Sequence, residues 1–184
     1  MAVLITLTAL SGAGKSEVFD YVRQKYPQFL AMVSYTSRPK RHDDEGGYIF
    51  EDKQFFAEHE DEFIELATFP PLKSIEREDV HYYGKHQSQF DGKDYITIFD
   101  EVGMKTLQQS YEEGKLRGYT LLKLFVKCDN ALRLSRLNGD LKRYNRDLTR
   151  ELLSETFYDY VLDNNKTKKE LYDQIDEILS ILKL

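Results

Sequence analysis

A short glycine-containing segment directly after an apolar run is the feature that most restricts the possible folds. Residues 3–7 read Val-Leu-Ile-Thr-Leu, and residues 11–16 read Ser-Gly-Ala-Gly-Lys-Ser. The apolar run predicts a buried strand, and a helix is predicted to open at about Lys15. Glycines have no Cβ, so the backbone between them can bend sharply and turn several N–H groups inward. This segment is therefore predicted to be a P-loop, a phosphate-binding turn between a strand and a helix.

Each part of this loop has an expected role toward a nucleoside triphosphate. Backbone N–H groups and the helix N-terminus would hold phosphate oxygens, Lys15 would supply a mobile positive charge, and the Ser16 hydroxyl would bind Mg²⁺. The predicted ATP-binding residues are Ser11, Gly12, Ala13, Gly14, Lys15 and Ser16. Ala9 stands where the motif usually has its first glycine. The alternative is an ordinary glycine-rich turn with a surface lysine.

Composition restricts the classes of protein to which the chain can belong. Its 184 residues, 41% of them hydrophobic, suggest one domain with a core of ordinary size. A net charge of −6 argues against a general nucleic-acid binder. The single cysteine excludes an intramolecular disulfide and a zinc cluster of several cysteines. No apolar run is long enough to span a membrane and no signal peptide is visible, so we expect a cytoplasmic protein without membrane association.

Apolar strands alternate with helices along most of the chain. After the P-loop helix, strands are predicted near residues 29–33, 95–99, 121–126 and 160–162. Helices are predicted over about 102–111, 130–137 and 143–158, and a last helix has Leu171, Ile175, Ile178, Leu179 and Leu182 on one stripe. This alternation predicts an α/β fold, a parallel sheet of the P-loop NTPase type covered by helices. The core is assigned to about 1–33, 93–137 and 159–184.

Two segments interrupt this pattern. Residues 34–92 contain short strands, charged loops and a small helix that Asp52 can cap, followed by a long loop through Pro70 and Pro71 to Gly84. They are predicted to form an inserted subdomain at the sheet edge where ligands of open α/β sheets bind. Residues 138–158 surround a helix break at Gly139 and are predicted to form a small helical lid.

Acidic and basic residues at particular places suggest further ligands. Asp100 ends an apolar strand, where it could hold Mg²⁺ or its water, or instead cap the next helix. Arg38 and Arg41 form a basic loop with Lys40 and could clamp a second phosphate, although such a loop could simply be solvated. Glu65 lies in the middle of an apolar strand, and its carboxylate there needs a partner.

Basic residues are concentrated around the predicted lid: Arg133, Arg136, Lys142, Arg143, Arg146 and Arg150. Such a hairpin could close over a transferring phosphoryl group and neutralise its charge, or form an exposed face with local ion pairs. Arg136 and Arg146 are assigned, together with Lys15 and Arg38, as catalytic residues. The histidines at 42, 59, 81 and 86 show no metal-ligand spacing and are interpreted as surface or loop residues.

The order of these motifs resembles the guanylate kinase family. The P-loop at 11–16 and the segment Ser-Tyr-Thr-Ser-Arg-Pro-Lys-Arg at 34–41, which is similar to the signature S-x-T-[ST]-R-x-x-R, carry the resemblance. Gly-Tyr-Ile-Phe at 47–50, Phe-Ile-Glu at 63–65, Tyr-Tyr-Gly at 82–84 and Asp100 follow in family order. The resemblance covers nearly the whole chain, most firmly residues 3–103.

The resemblance implies a P-loop core, a nucleoside-monophosphate-binding insert and a lid. It also implies ATP and GMP as substrates, Mg²⁺ with ATP, and direct phosphoryl transfer to GMP, with dGMP as a further acceptor. Arg38, Arg41, Tyr48 and Tyr83 would hold the acceptor phosphate, and Ser34, Glu65 and Asp100 would surround the guanine and its neighbouring water or metal. Lid arginines would contact the ATP phosphates.

The chain departs from the family at several positions. Besides Ala9, Ile98 stands two residues before Asp100 where the family usually has an aspartate, and the loop over 67–81 is longer. Lys85 replaces a serine or threonine that contacts the base and is included among the substrate-binding residues, because an ammonium group could still serve guanine O6. The alternatives are a kinase for another nucleoside monophosphate or small phosphorylated substrate, and a non-catalytic binding module of the same fold.

Overall fold

A computed structural model of the chain describes residues 1–40, 42–43, 47–69 and 80–183. Its strands are β1 (Ala2–Thr8), β2 (Leu30–Ala31), β3 (Ser34–Thr36), β4 (Tyr48–Phe50), β5 (Phe63–Phe69), β6 (His81–His86), β7 (Tyr95–Ile98), β8 (Tyr119–Lys127) and β9 (Tyr160–Asp163). Its helices are α1 (Lys15–Lys25), α2 (Lys53–Glu58), α3 (Glu101–Glu112), α4 (Asn130–Arg136), α5 (Leu141–Leu148) and α6 (Lys168–Ile181). These elements form two compact units.

The first unit, here called the P-loop unit, contains Met1–Ala31, Asp94–Glu101 and Thr120–Leu184. Its sheet has the strand order β2-β7-β1-β8-β9, with parallel pairing of β1 and β2 to β7 and of β8 to β9. Every residue of β1 after Ala2 is buried, as expected for a strand covered on both faces. The fold is the predicted α/β sheet flanked by helices.

Helices α1 and α6 cover this sheet with apolar stripes. Val18 and Val22 of α1 join the core, together with Leu171, Ile175, Ile178 and Leu179 of α6. Tyr21 and Tyr172 stack at 3.8 Å between ring centroids. Leu182 was predicted on the same stripe, but it follows the last helical residue and is 40% exposed.

The second unit, here called the mixed-sheet unit, contains Met32–Lys93 and Val102–Tyr119. Its sheet has the order β4-β3-β6-β5, with β3 parallel to β4 and antiparallel to β6. The Asp52 side chain accepts from the N–H of Phe55 and caps α2 as predicted. Rings of Tyr35, Phe56 and Phe63 pack on one side of the sheet.

Two predicted elements are wrong in extent. The helix predicted over 143–158 begins at Leu141, because Asp140 caps the Arg143 N–H, and ends at Leu148. The loop predicted as far as Gly84 instead contains β6, whose register with β3 and β5 depends on residues distant in sequence. The part of that loop over residues 70–79 lies outside the described residues.

The strand predicted over 29–33 pairs only at Leu30–Ala31. Among the described residues, no helix combines the length and apolar character needed to cross a membrane.

Candidate functional site

The P-loop has the backbone that its glycines predict. Gly12 and Gly14 have φ angles of 75° and 104°, which residues other than glycine rarely adopt. A Cβ on Gly12 would lie 2.7 Å from the carbonyl oxygen of Arg133, and one on Gly14 would lie 2.2 Å from Nδ2 of Asn164. Ala9 is not among the described residues with positive φ, so its position does not require glycine. The loop therefore tolerates the missing first glycine but not the loss of the other two.

Lys15 turns back into this loop. Its ammonium donates to the carbonyl oxygens of Ala9 and Leu10, the latter at 3.4 Å. Burial lowers the pKa of Lys15 to about 8; Arg150 adds to this effect, and Asp147 and Glu101 oppose it. A lysine held by carbonyl oxygens alone can turn to phosphate oxygens when these arrive.

Asp147 in α5 binds the same loop, a contact that sequence reasoning missed. Its Oδ2 accepts from the backbone N–H of Ser11 at 2.5 Å and from Arg133 at 3.1 Å. Burial acts to raise the pKa of this carboxyl, but the Ser11 bonds and the charges of Arg150 and Arg146 hold it below its usual range. The buried Asp147 carboxylate therefore accepts a hydrogen bond from a backbone N–H of the kind that binds phosphate in such loops.

The predicted lid arginines differ in position. Arg146 donates to the Ser11 hydroxyl at 3.2 Å, so the structure brings it to the P-loop. Arg136 instead donates to Cys128 Sγ at 3.3 Å and to the Asn164 carbonyl at 3.2 Å. No contact between Arg136 and residues 11–16 is described, and its catalytic role stays a prediction.

Two further arginines are fixed by partners that the sequence did not reveal. Arg133 was expected either in a closing arginine-rich hairpin or on an exposed helix face, but it is 1% exposed and donates to the Ser11 carbonyl at 3.0 Å and to Asn130 Oδ1 at 2.9 Å. Arg150 forms an ion pair with Glu101. The buried Arg133 therefore stabilises the backbone of the loop and does not belong to a mobile lid.

Ser16 and Asp100 have the donor chemistry that Mg²⁺ requires. Ser16 is exposed in the first turn of α1, and Asp100 is exposed directly after Phe99. Strands β1 and β7 are parallel neighbours, with Leu7 paired to Ile98, so both residues follow strand ends at the same sheet edge. A hydroxyl and a carboxylate are hard oxygen ligands, which fit Mg²⁺.

In the mixed-sheet unit, Arg38 lies over an aromatic surface. Its guanidinium carbon is 5.5 Å from the ring centre of Tyr48 and 5.6 Å from that of Phe50. The ring of Tyr83 lies 6.0 Å from that of Tyr48. Three of the residues predicted to hold an acceptor phosphate are therefore close together; the fourth, Arg41, lies outside the described residues.

A buried polar set lies on the same sheet. Glu65 of β5 and Lys85 of β6 are cross-strand partners, only 6% and 2% exposed. Lys85 Nζ donates to the Ser34 hydroxyl at 2.6 Å. Burial lowers the pKa of Lys85, and the charge of Glu65 opposes that effect. Side chains two residues apart on a strand share a face, so Tyr83 lies on the face of Lys85.

The histidines include a cluster that the sequence interpretation excluded. His59 and His86 both lie against Glu62, and His86 is buried rather than on a loop or surface. The i,i+3 spacing of His59 and Glu62 was the available local signal; His86 joins them only through strand pairing.

Comparison with known proteins gives a consistent result. No family model matches the chain. A guanylate kinase from Synechococcus sp. (strain JA-3-3Ab) is 21% identical over 183 residues, covering 92% of this chain and 79% of the relative. One from Syntrophus aciditrophicus (strain SB) is 27% identical over 171 residues, covering 90% and 80%. The crystal structure of guanylate kinase from Anaplasma phagocytophilum has a TM-score of 0.64 and 18% identity, covering 100% of this chain and 87% of that one. The structural likeness confirms the predicted fold.

Proposed function

Because this chain is a divergent member of the guanylate kinase family, we propose that it phosphorylates GMP with ATP. An oxygen of the GMP phosphate attacks the γ-phosphorus of ATP, the bond to the β–γ bridging oxygen breaks, and ADP leaves as GDP forms. Such a reaction needs little covalent chemistry from the protein, so alignment and charge neutralisation carry the catalysis.

The P-loop unit would bind ATP. The N–H groups of residues 11–16 would hold phosphate oxygens, and Lys15 would exchange its carbonyl partners for the β- and γ-phosphates. Ser16 and Asp100 would hold Mg²⁺, which supplies charge neutralisation on the phosphates when bound. Arg146, already at Ser11, would add positive charge at the transferring group. Asp147 would give up the Ser11 N–H as a phosphate takes its place.

The mixed-sheet unit would bind GMP. Arg38, with Tyr48 and Tyr83 beside it, would hold the acceptor phosphate through a bidentate guanidinium contact. Arg41 is proposed as the second clamp on the strength of the motif alone. The aromatic neighbours restrict the guanidinium, and its Nη1 donates to the Pro39 carbonyl at 2.7 Å.

The observation that carries the choice of guanine is the pair of buried residues Glu65 and Lys85 with the half-buried Ser34 beside them. Guanine presents N1–H and the N2 amino group as donors, which suit a carboxylate, and O6 as an acceptor, which suits an ammonium or hydroxyl. Adenine would direct its N1 acceptor at the carboxylate and its N6 donor at the lysine. Leaving buried polar groups unpaired in this way is costly, so guanine is the base that fits.

One observation favours a second candidate on the same core. Lys85 replaces the family's hydroxyl residue and already donates to Ser34, so the Lys85–Glu65 pair could be a structural ion pair that leaves the base unread. The acceptor would then be another nucleoside monophosphate or small phosphorylated compound.

A coupled assay of ADP release, run with ATP and Mg²⁺ across GMP, dGMP, AMP, CMP and UMP, tests the proposal. The expected result is fastest turnover with GMP, with dGMP also used. Faster turnover with AMP or a pyrimidine nucleotide would favour the second candidate. An absence of ADP release with every acceptor would support a non-catalytic binding module.

A further inference from the structure

The cluster of His59, Glu62 and His86 lies in the mixed-sheet unit and has no part in the proposed reaction. His59 directly follows α2 and precedes a 3-10 turn over Glu60–Glu62. Side chains three residues apart lie on the same side of such a turn, so the side chain of Glu62 lies next to that of His59. Glu62 Oε1 lies 2.7 Å from His59 Nδ1, and Glu62 Oε2 lies 3.2 Å from His86 Nε2. Ligand atoms of the three residues all lie within 4.8 Å of one another.

His86 is the buried member and lacks a hydrogen bond where it meets Glu62. The residue is 9% exposed, and its buried Nε2 has no hydrogen-bond partner although a carboxylate oxygen is near. Its other ring nitrogen, Nδ1, accepts from the Ser88 N–H at 3.3 Å and lies 2.8 Å from the Ser88 hydroxyl. Metal binding at Nε2 uses the other tautomer: Nδ1–H then donates to the Ser88 hydroxyl, and the Nε2 lone pair is directed to the side of Glu62.

We propose that His59, Glu62 and His86 form a binding site for a zinc-like divalent transition metal. Two imidazoles and one carboxylate form a three-ligand set typical of open Zn²⁺ sites, with a water as the fourth ligand. A cavity of about 400 Å³ lined by Glu62 and His86 gives room for that water and a path of entry. Ser88 is a positioning residue, which fixes the ring of His86 as outer partners of metal-bound histidines do.

This site is separate from the residues proposed to bind GMP. His86 and Lys85 are adjacent in β6, so their side chains leave opposite faces of the strand. Mg²⁺ prefers a shell of oxygen ligands and is not expected to displace a metal held by imidazoles. A metal here would join the end of α2 to β6 and stabilise the mixed-sheet unit.

Isothermal titration of the metal-free full chain with zinc chloride, in excess Mg²⁺, tests the site. We expect one zinc ion per chain with micromolar or tighter affinity, and an absorption spectrum of tetrahedral type when cobalt replaces zinc. Glu62→Gln and His59→Asn should each weaken binding by at least about tenfold, and Ser88→Ala by about tenfold. His59 and Glu62 are half-exposed, so these changes do not open the core.

Glu60→Gln is the matched control, because it removes the same charge from the same turn without removing a ligand. It should leave zinc affinity and the cobalt spectrum unchanged. The proposal is overturned if the parent chain binds no zinc in a one-to-one ratio. It is equally overturned if Glu62→Gln and His59→Asn, shown to be folded by circular dichroism, bind zinc as the parent does.

Discussion

The two units each contain a lysine whose pKa is lowered by burial, but the two lysines have different partners. Lys15 in the P-loop unit donates to two backbone carbonyl oxygens. Lys85 in the mixed-sheet unit is more completely buried and has a hydroxyl and a carboxylate as neighbours. Lys15 therefore has only neutral carbonyl oxygens as hydrogen-bond partners and feels the carboxylates of Asp147 and Glu101 without a hydrogen bond to them, whereas Lys85 has Glu65 as its direct cross-strand partner.

This difference suggests two kinds of recognition. An ammonium group held only by carbonyl oxygens in a loop of N–H donors suits a highly charged ligand, and it can reorient when that ligand binds. A compensated ion pair on a rigid sheet suits a neutral ring with donors and acceptors at fixed places. The predictions below act on one lysine or its neighbours at a time, from the largest expected effect to the smallest.

The largest effect is expected from Glu65→Gln. A glutamine offers adenine an N–H donor and offers guanine one acceptor fewer, so both changes reduce discrimination. A buried polar site of this kind discriminates by roughly 10⁴-fold, and we expect the GMP/AMP ratio of kcat/KM to fall by on the order of 10³-fold. Glu58→Gln, on the exposed side of α2, is the control and should not alter the ratio. An unchanged ratio in Glu65→Gln would mean that the carboxylate does not contact the base.

Lys15→Ala should lower kcat by on the order of 10²-fold or more, because it removes positive charge from the transferring phosphoryl group. Steady-state kinetics with GMP and ATP would measure this. Lys25→Ala removes a lysine from the far end of the same helix, where Lys25 pairs with Asp176, and should leave kcat near that of the parent. Activity of Lys15→Ala within a few-fold of the parent would remove the P-loop assignment.

A smaller effect is expected in the pH dependence of kcat/KM, which depends on the protonation of Lys15. Lys15 loses its proton as pH rises through about 8, so kcat/KM for ATP, measured at saturating GMP, should fall by up to about tenfold per pH unit above that value. Lys15→Arg keeps its charge and should flatten this decline.

The stability of the fold depends on pH with the opposite sign. The unfolded lysine keeps its proton up to about 10.5, so this group makes the free energy of unfolding rise between pH 8 and 10.5. If kcat/KM for ATP of the parent stays constant from pH 7 to 10, the assignment of Lys15 as the phosphate-binding lysine is contradicted.

The smallest effect is expected in the predicted lid. Asn138 and Gly139 both have positive φ, which places a bend just before α5, and Asp147 of α5 holds the Ser11 N–H. ATP together with GMP should slow amide hydrogen exchange over residues 138–150 by on the order of tenfold, as the segment becomes ordered on phosphates. Peptides from α6 serve as the internal reference. Equal exchange with and without nucleotides would argue against a closing lid.

The features predicted correctly from sequence are those encoded by local spacing. The positive φ of Gly12 and Gly14, the start of α1 at Lys15 and the Asp52 cap all depend on residues within a few positions. The alternation of apolar strands and helices likewise predicted the α/β fold, because burial on both faces leaves a continuous apolar run.

The features that were missed depend on residues distant in sequence. Asp147 contacts Ser11 across 136 positions in sequence. Arg133, expected in a closing hairpin or on an exposed helix face, is instead buried against Asp147 and Ser11. His86 joins His59 only because β6 pairs with β5. No periodicity or local motif contains such pairings, so single-sequence reasoning could predict the glycine-containing turn at residues 11–16 but not the side chains that pack against it.

Transfer of a labelled γ-phosphoryl group from ATP to GMP tests the central claim most directly. The chain is incubated with Mg²⁺, γ-labelled ATP and GMP, and the products are separated. We expect that the label appears in GDP, in a one-to-one ratio to the ADP formed, and that with Lys15→Ala it enters GDP more slowly by on the order of 10²-fold or more. Label that appears only as inorganic phosphate, or only in another nucleotide when GMP competes with it, would contradict the account.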